Sequence, residues 1–236
     1  MINIVKNIDN ANFVTHAGKF HADEIFATIL LEEIYGEINL IRLPEVDGLN
    51  LDNKFVYDIG GGEFDHHQIG GNGQRNSGIK YAAFGLVWKA FGRKFLEQKN
   101  ANNIEDCFYM FDKNFVQFID AGDNGQIKYE NINIKLVTLS DVIEGFNPNW
   151  NEDIDSDEKF KEALQIAKKI FNNKIHVLDN VAQSYGMVDG KITQIIGEIA
   201  FADGIFLDPI YNAKAFCGMI SFLEENKNYQ NVLFLN

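Results

Sequence analysis

A short apolar run near the start of the chain passes directly into a helical pattern, and this change constrains the fold more than any other feature. The run Phe13-Val14-Thr15-His16 is typical of a buried strand, and Ala17-Gly18-Lys19 is typical of a turn. From Ala22 onward, apolar residues recur at helical spacing. Apolar runs at 40–43 and 55–59 repeat the alternation. The pattern predicts an α/β fold in which helices flank a mostly parallel sheet.

Later segments extend this pattern and indicate where domains divide. The spacing of apolar residues predicts helices over residues 79–91, 104–119 and 138–146. A polar, acidic stretch from Asn147 to Asp157 contains Pro148 and is the best candidate for a domain boundary. We therefore expect a first domain over residues 1–150, a connecting helix over 151–187 and a smaller C-terminal α/β unit over 188–236, with strands at 192–199 and 231–235 and a helix at 213–223.

Composition and segment lengths favour a cytoplasmic protein that does not enter a membrane. The apolar runs fall well short of the roughly 18 residues that span a bilayer, and residues 1–12 lack the apolar core of a signal peptide. Cys107 and Cys217 stand in apolar surroundings and are not spaced as a metal-binding pair. Buried thiols in a reducing compartment are therefore favoured. With 46% hydrophobic residues, the 236-residue chain can form a sizeable core.

The charge of the chain argues against one class of partner but leaves another open. A net charge of −13 disfavours generic electrostatic binding to a long polyanion. Between His66 and Leu96, however, there is no Asp or Glu. This stretch is either a solvated helix face or a wall that receives an anion beside the candidate site. Its basic residues are Arg75, Lys80, Lys89, Arg93 and Lys94.

Histidines and carboxylates are concentrated in a few short segments. Four of the five histidines occur there. His16, His21 and Asp23 lie where a strand end, a turn and a helix start meet, so their side chains can converge on one point. Asp58 comes from a neighbouring predicted strand, and His66 from the loop beyond it. Because ligands collect at the carboxyl ends of parallel strands, we expect these side chains to form one site.

The chemistry of these groups indicates divalent metal ions. Carboxylates are hard ligands and neutral imidazole is a borderline one, so a mixed set suits Mn, Zn or Mg. One carboxylate can bridge two cations about 3.5–4 Å apart, and such a pair activates water and holds a phosphoryl group. The set is larger than a tetrahedral structural zinc site needs. We predict a two-metal hydrolytic site; the alternative is that each histidine is a satisfied polar residue near a helix cap or turn.

The motifs resemble those of the DHH phosphoesterase superfamily, which is named for the triplet seen here as Asp65-His66-His67. More closely, residues 16–24, 57–61, 65–68 and 119–125 resemble the Myg family. That family is often labelled "metal-dependent protein hydrolase", and its members resemble 3′–5′ exoribonucleases. The resemblance is specific over residues 14–125 and thin afterwards. The label alone suggests peptide hydrolysis, which the residues do not otherwise support.

The resemblance implies a role for each site residue. The implied ligands of the first metal are His16, His21 and Asp58. The implied ligands of the second metal are Asp23, Asp58 as a bridge, His66 and Asp123, for which Asp120 is the alternative. Asp58 and His67 are the implied catalytic residues. His67 would contact the substrate, and Lys19 and Arg75 are weaker candidates for phosphate contact.

Two departures from the family pattern bear on metal and substrate. Many superfamily members have an aspartate where this chain has His21, and imidazole suits Mn and Zn better than Mg. Family members also usually continue past the position of Asn236, in the domain expected to grip the substrate. We therefore expect Mn as the metal, with Mg or Zn as alternatives, and a shortened C-terminal domain.

These features predict a divalent-metal-dependent phosphodiesterase with two metal ions. The expected substrates are RNA ends or short oligonucleotides, cleaved by a 3′–5′ exoribonuclease or short-oligonucleotide hydrolase. Two alternatives stay open: a phosphohydrolase of small substrates such as pyrophosphate or a cyclic dinucleotide, and a metal-binding protein without turnover. A homodimer is a further alternative, because the apolar residues Phe201, Ile205, Phe206 and Leu207 form either core, which is favoured, or a dimer surface.

Overall fold

The structure is a computed structural model that describes residues 1–127, 137–152, 154–178, 190, 193–196, 198, 216, 219–220 and 223. Within them the strands are β1 (Ile2–Ile4), β2 (Phe13–His16), β3 (Ile38–Leu43) and β4 (Phe55–Val56). The helices are α1 (Ala22–Tyr35), α2 (Ala83–Gln98), α3 (Ile104–Phe111), α4 (Gln117–Asp123), α5 (Leu139–Glu144) and α6 (Ser156–Leu178). A 3-10 turn covers Ile8–Asn10, and a π-helical segment, Asp112–Val116, joins α3 to α4.

The four strands form a single parallel sheet, which confirms the predicted α/β class. Their order is β1-β3-β2-β4, so β2 has a neighbour on each side. The chain leaves β2 through α1 to β3 on one side, and later reaches β4 on the other side. Such a reversal of direction opens a crevice at the carboxyl ends of the strands, where α/β proteins place their ligands.

Helix α1 is the centre of the main core. Its residues 22–32 are all buried, because the helix packs between the sheet and the helices α2 and α6. Most of this stretch is apolar, but Asp23 and Glu24 in the first turn are also fully buried. Burying a carboxylate is costly unless it is paired or binds a cation. The first turn of α1 therefore needs compensating positive charge.

The segment predicted to connect two domains belongs to this same core. Phe160 and Phe171 of α6 are fully buried, and the Phe160 ring lies 5.4 Å from that of Phe20. The base of α6 is also tied to the sheet, because Arg42 donates hydrogen bonds to Ser156 and Asp157. The division of the chain at residue 150 stays a prediction.

Three predicted helix boundaries were wrong: the end of α2, which lies at Gln98 rather than at 91, and two others that bear on the site. Helix α2 begins at Ala83 rather than at 79, because residues 73–81 form a compact loop closed by backbone hydrogen bonds. The helix predicted to end before Asp120 instead continues through the π-helical segment and α4 to Asp123. Asp120 is therefore a buried residue inside a helix, not part of a polar turn.

The described part of the C-terminal region contradicts one further prediction. Residues 193–196 and 198 are helical, so the strand predicted over 192–199 is wrong there. Short apolar runs do not distinguish a strand from a buried helix by periodicity alone. Residues 216, 219–220 and 223 are helical, in agreement with the helix predicted over 213–223. The strand predicted at 231–235 and the apolar residues 201 and 205–207 lie outside the described residues. Among described residues, no helix is long and apolar enough to cross a bilayer.

A glycine inside α2 marks the place where this helix meets α4. A Cβ atom on Gly85 would lie 1.8 Å from Asp120 Oδ2 and 2.9 Å from Arg75 Nη2. The Gly85 amide also donates a 3.0 Å hydrogen bond to Asp120 Oδ1. The side chain of Asp120 thus occupies the space that any other residue at position 85 would need.

We expect Gly85→Ala to lower the free energy of unfolding by about 2 kcal/mol, because overpacking outweighs the better helix propensity of alanine. Urea unfolding followed by circular dichroism measures the change. The control is Ala90→Gly, at an exposed position of the same helix, which should cost about 1 kcal/mol through propensity alone. A Gly85→Ala protein more stable than the parent would contradict the packing described here.

Candidate metal centre

The carboxyl edge of the sheet brings most of the predicted site residues together. His16 ends β2, Asp58 follows β4 by two residues, and Asp23 lies in the first turn of α1. Among the residues described, four overlapping groups have ligand atoms that all lie within 4.8 Å of one another. These groups are Asp58, Asp65, His66 and His67; His16, His21 and Glu24; His21, Asp23 and Asp123; and Asp23, Glu24 and Asp58.

His16 is oriented by its own backbone so that one ring nitrogen faces the carboxylates. Its Nδ1 lies 3.1 Å from the carbonyl oxygen of Ala17, and because a carbonyl only accepts, Nδ1 carries the hydrogen. The other nitrogen, Nε2, lies 3.0 Å from Glu24 Oε1 and 3.2 Å from Asp58 Oδ2. A hydrogen bond at one nitrogen that fixes the other toward a cation is the usual arrangement of metal-binding histidines.

Asp58 lies between two histidines and is held in an uncommon backbone conformation. Its φ is 58°, in the left-handed region, which aspartate tolerates better than most residues. Its amide donates to the Phe64 carbonyl at 3.0 Å. One carboxylate oxygen faces His16, and the other lies 3.3 Å from His66 Nδ1. This is the position that a bridging carboxylate would occupy.

Helix α4 supplies the other side of the centre. Asp123, its last residue, places Oδ2 2.7 Å from His66 Nε2 and Oδ1 3.7 Å from His21 Nδ1. Asp23 Oδ2 lies 3.9 Å from His66 Nδ1 and accepts a 3.1 Å hydrogen bond from the Ala83 amide. The N-terminus of α2 therefore points at Asp23, and its partial positive charge favours the carboxylate there.

His67 is more exposed than the other histidines of the site. Its Nδ1 lies 2.8 Å from Asp65 Oδ1, and 55% of the side chain is exposed. Asp65 also accepts hydrogen bonds from the amides of Gly61 and His67. Burial alone would raise the pKa of Asp65, but these three donors hold it well below its usual value. Asp65 thus stays charged and fixes His67 with Nε2 directed away from it.

Lys19, Arg75 and Asp120 lie outside these groups. The side chain of Lys19 pairs with Glu144. Arg75 Nη1 lies 2.7 Å from Asp120 Oδ2, and both side chains are buried. Burial raises the pKa of Asp120 to about 7, although Arg75 acts in the opposite direction. Geometry therefore favours Asp123 over Asp120 at the centre, and it does not support a phosphate-contact role for Arg75.

The acid-free stretch between His66 and Leu96 does not form one free basic surface. Arg75 is engaged as described, and Arg93 forms a two-point ion pair with Glu105. The ammonium groups of Lys89 and Lys94 lie about 5 Å from the ring centres of Tyr81 and Tyr35, at 5.0 and 5.1 Å. The prediction of a solvated helix face suits these contacts better than the prediction of a wall that receives an anion.

The clustered carboxylates raise the proton affinity of the site. Burial disfavours protonated His16, but Asp58 and Glu24 together raise its pKa to about 11. Burial likewise opposes the charge of His66, yet Asp123 and Asp58 raise its pKa to about 10. The pKa of Asp23 is also raised, by burial and by the neighbouring carboxylates Asp58, Asp123 and Glu24. The site attracts positive charge, and protons and divalent cations compete for such sites.

The residues fit a metal centre on a second, geometric ground. Five atoms at its middle are buried and have no hydrogen-bond partner of normal geometry among the described residues: His16 Nε2, Asp23 Oδ1, both oxygens of Asp58 and His66 Nδ1. Buried polar atoms are normally satisfied, so such a group requires an explanation. All five are imidazole nitrogens or carboxylate oxygens, which are the ligand atoms of Mn, Zn and Mg.

Sequence reasoning missed Glu24 as a candidate ligand. The residue is fully buried, faces His16, and its carboxylate accepts the backbone N–H of His21 at 2.9–3.0 Å. Acidic residues are common in the first turn of a helix, where the macrodipole favours them, so this position alone does not indicate a ligand. The adjacent pair Asp23-Glu24 could have indicated this ligand. When two neighbouring carboxylates are buried at the start of a helix, one of them needs a compensating cation.

We expect Mn²⁺ binding near pH 7.5 to release about two protons, because His16 and His66 are protonated in the metal-free protein and must be neutral to bind. Titration calorimetry in buffers of different ionisation enthalpy measures the number. Histidines of ordinary pKa, near 6.5, would release almost none.

The same pKa values predict how the metal-free protein responds to pH. A histidine whose pKa is raised on folding stabilises the fold below its unfolded pKa, and loses that contribution as the pH rises through the folded value. The free energy of unfolding should therefore fall between about pH 7 and pH 10. Metal binding without proton release, or a flat stability profile over that interval, would contradict the charge arrangement described above.

Comparison with known proteins places the chain in a family. The model of a family described as "Uncharacterised protein family (UPF0160)", named MYG1_exonuc, matches residues 12–198. A MYG1 protein of Caenorhabditis elegans is 31% identical over 188 residues, which are 71% of this chain and 55% of the relative. A MYG1 protein of Saccharomyces cerevisiae is 30% identical over 208 residues, 78% of this chain and 61% of the relative.

A human relative carries a functional name. The protein named MYG1 exonuclease in Homo sapiens is 30% identical over 185 residues, 68% of this chain and 49% of the relative. The chain thus matches about half to three-fifths of the length of these relatives. No solved structure matches this chain. The family match covers most of the chain and includes all the residues of the candidate centre, and the chain belongs to the MYG1 family.

Proposed function

We propose that this protein is a divalent-metal-dependent phosphodiesterase that removes nucleotides from RNA ends or short oligonucleotides in the 3′–5′ direction. The observation that carries the proposal is the group of buried, unpartnered imidazole and carboxylate atoms at the carboxyl edge of the sheet. The exonuclease name of several relatives supports a nuclease reaction. The mixed ligand set favours Mn²⁺, with Zn²⁺ or Mg²⁺ as alternatives.

The arrangement supports two cation positions that share Asp58. His16, Glu24 and Asp58 would hold one cation, and Asp23, Asp58, His66 and Asp123 would hold the other. His21 belongs to a group on each side. Two divalent ions supply an activated water and neutralise the charge that develops on the phosphate.

The protein's own residues would orient the substrate around this centre. Asp65 holds Nδ1 of His67 and raises the pKa of that imidazole, although partial burial opposes the shift. His67 is then available at Nε2 to donate a hydrogen bond to a phosphate oxygen or to the leaving group. The His67 ring is 4.2 Å from that of His66 and 6.3 Å from that of His16, so it borders both cation positions.

A small phosphorylated substrate is the second candidate, and a specific observation favours it. Two of the five basic residues between positions 66 and 96, Arg75 and Arg93, are engaged by carboxylates. The chain also carries a net charge of −13. Within this described stretch, less positive charge is therefore free to follow a polynucleotide, and pyrophosphate or a cyclic dinucleotide needs less of it.

We expect Asp58→Asn to abolish the stabilisation that Mn²⁺ gives to the fold, because the bridging negative charge is lost. Asparagine tolerates positive φ, so the backbone at this position is preserved. The metal-free variant should be less stable than the parent at neutral pH, because Asp58 pairs with the protonated forms of His16 and His66. Thermal unfolding with and without Mn²⁺ measures both effects. The control, Asp47→Asn at an exposed site, should keep the full response to Mn²⁺.

The proposed reaction is tested by supplying Mn²⁺-loaded protein with end-labelled RNA, the matching DNA and pyrophosphate in parallel. We expect stepwise shortening of RNA from its 3′ end, a loss of more than 100-fold in Asp58→Asn, and unchanged rates in Asp47→Asn. Phosphate release from pyrophosphate alone would replace this proposal by the second candidate. Metal binding without turnover of any of the three substrates would leave a metal-binding protein without catalysis.

A further inference from the structure

Arg75 is a buried cation whose contacts bind it into the protein interior. Its guanidinium forms a two-point ion pair with Asp112, with N–O distances of 2.8 and 2.6 Å. A third nitrogen lies 2.7 Å from Asp120 Oδ2, and the group stacks over the Tyr81 ring at 4.3 Å. All three guanidinium nitrogens therefore face carboxylates of the described chain.

The two carboxylates that Arg75 binds lie on either side of an irregular helical segment. Asp112 is the first residue of the π-helical stretch, and Asp120 lies in α4, beyond its end. A π-helical turn contains an extra residue and so rotates whatever follows it relative to the preceding helix. Arg75 thus spans the segment that sets the orientation of α4, the helix that carries Asp123.

Asp120 continues the connection into α2. Its second oxygen accepts the amide of Gly85, and the missing side chain at that position makes room for it. Two residues earlier, the Ala83 amide binds Asp23. The Arg75–Asp120 pair therefore fastens α4 to the helix start that also holds Asp23.

The parts joined by Arg75 are the parts that would form the second cation position. Arg75 belongs to the loop that begins after His66, and Asp123 stands one helical turn beyond Asp120. His66 and Asp123 meet at 2.7 Å. The first position, around His16 and Glu24, is instead built from β2 and α1, and Arg75 has no hydrogen bond or ion pair to either residue among the described contacts.

We propose that Arg75 is a positioning residue for the second cation: it holds α4 against the loop so that Asp123 meets His66. The inference rests on the proposed two-metal function. A residue that only stabilised the fold would, when replaced, weaken both cation positions or neither. A positioning residue of this kind weakens one and spares the other.

The test is the stoichiometry and affinity of Mn²⁺ binding to the full chain, measured by calorimetry and by electron paramagnetic resonance. The parent should bind two ions and show the spectrum of a spin-coupled pair. Arg75→Met should keep one ion within about twofold of the parent affinity, bind the other 10–100-fold more weakly and show the spectrum of an isolated ion. The affinity of Arg75→Lys for the weakened ion should lie between the affinities of the parent and of Arg75→Met.

Arg93→Met is the matched control. Arg93 also forms a two-point ion pair with a carboxylate, Glu105 at the start of α3. It lies ten residues after Ala83 in α2, and its side chain is 40% exposed, against 7% for that of Arg75. This variant should bind two ions as the parent does. Asp112 is the outer partner of Arg75, and its side chain is 20% exposed. Asp112→Asn removes the charge of this partner alone, and it should weaken binding of the second ion less than Arg75→Met does.

The outcomes separate the inference from the function beneath it. Two ions bound at parent affinity by Arg75→Met, or equal weakening of both, would overturn the positioning role while leaving the two-metal proposal intact. A parent protein that binds fewer than two ions would overturn both. If Arg75→Met does not fold, Asp112→Asn decides: selective weakening of one ion supports the inference, and unchanged binding of both overturns it.

Discussion

The concentration of buried negative charge at one edge of the sheet is the constraint on which the rest of the centre depends. Asp23, Glu24 and Asp58 are almost completely inaccessible, and Asp123 lies beside them. Carboxylates buried this close together repel one another strongly, because the interior screens charge far less than water does. A fold that keeps them must supply compensating positive charge.

The protein compensates the negative charge of Asp120 and that of Asp23 in different ways. Asp120 has a permanent internal cation in Arg75 and a backbone donor in Gly85. Asp23 has a single amide from the start of α2 and otherwise faces carboxylates and the imidazole of His66. Arginine stays protonated, so a carboxylate paired with it always has a counter-charge within the protein. A carboxylate that faces imidazoles instead, which also ligate metals, can bind an exchangeable cation. This difference supports the proposal that Asp23 binds a cation and that Asp120 does not.

The sequence was sufficient to place those residues whose position follows from the local pattern. His16, Asp23 and Asp58 could be placed because strand ends and helix starts follow from apolar periodicity, and parallel strands share one carboxyl edge. The helix boundary near Asp120 could not be placed in this way, because an α-helical period does not predict a π-helical segment. The contacts of Arg75 could not be predicted for another reason: its carboxylate partners come from residues 37 and 45 positions away, and only tertiary structure reveals them.

The same distribution of charge bears on the proposed substrate. The buried cations stabilise the fold, and the overall charge of the chain is strongly negative. Under the proposed function, the cation positions and His67 would supply the attraction for a phosphate group. A site that attracts phosphate at these groups would suit the chain end or short molecule proposed as substrate, whereas processive binding needs a basic path along the strand.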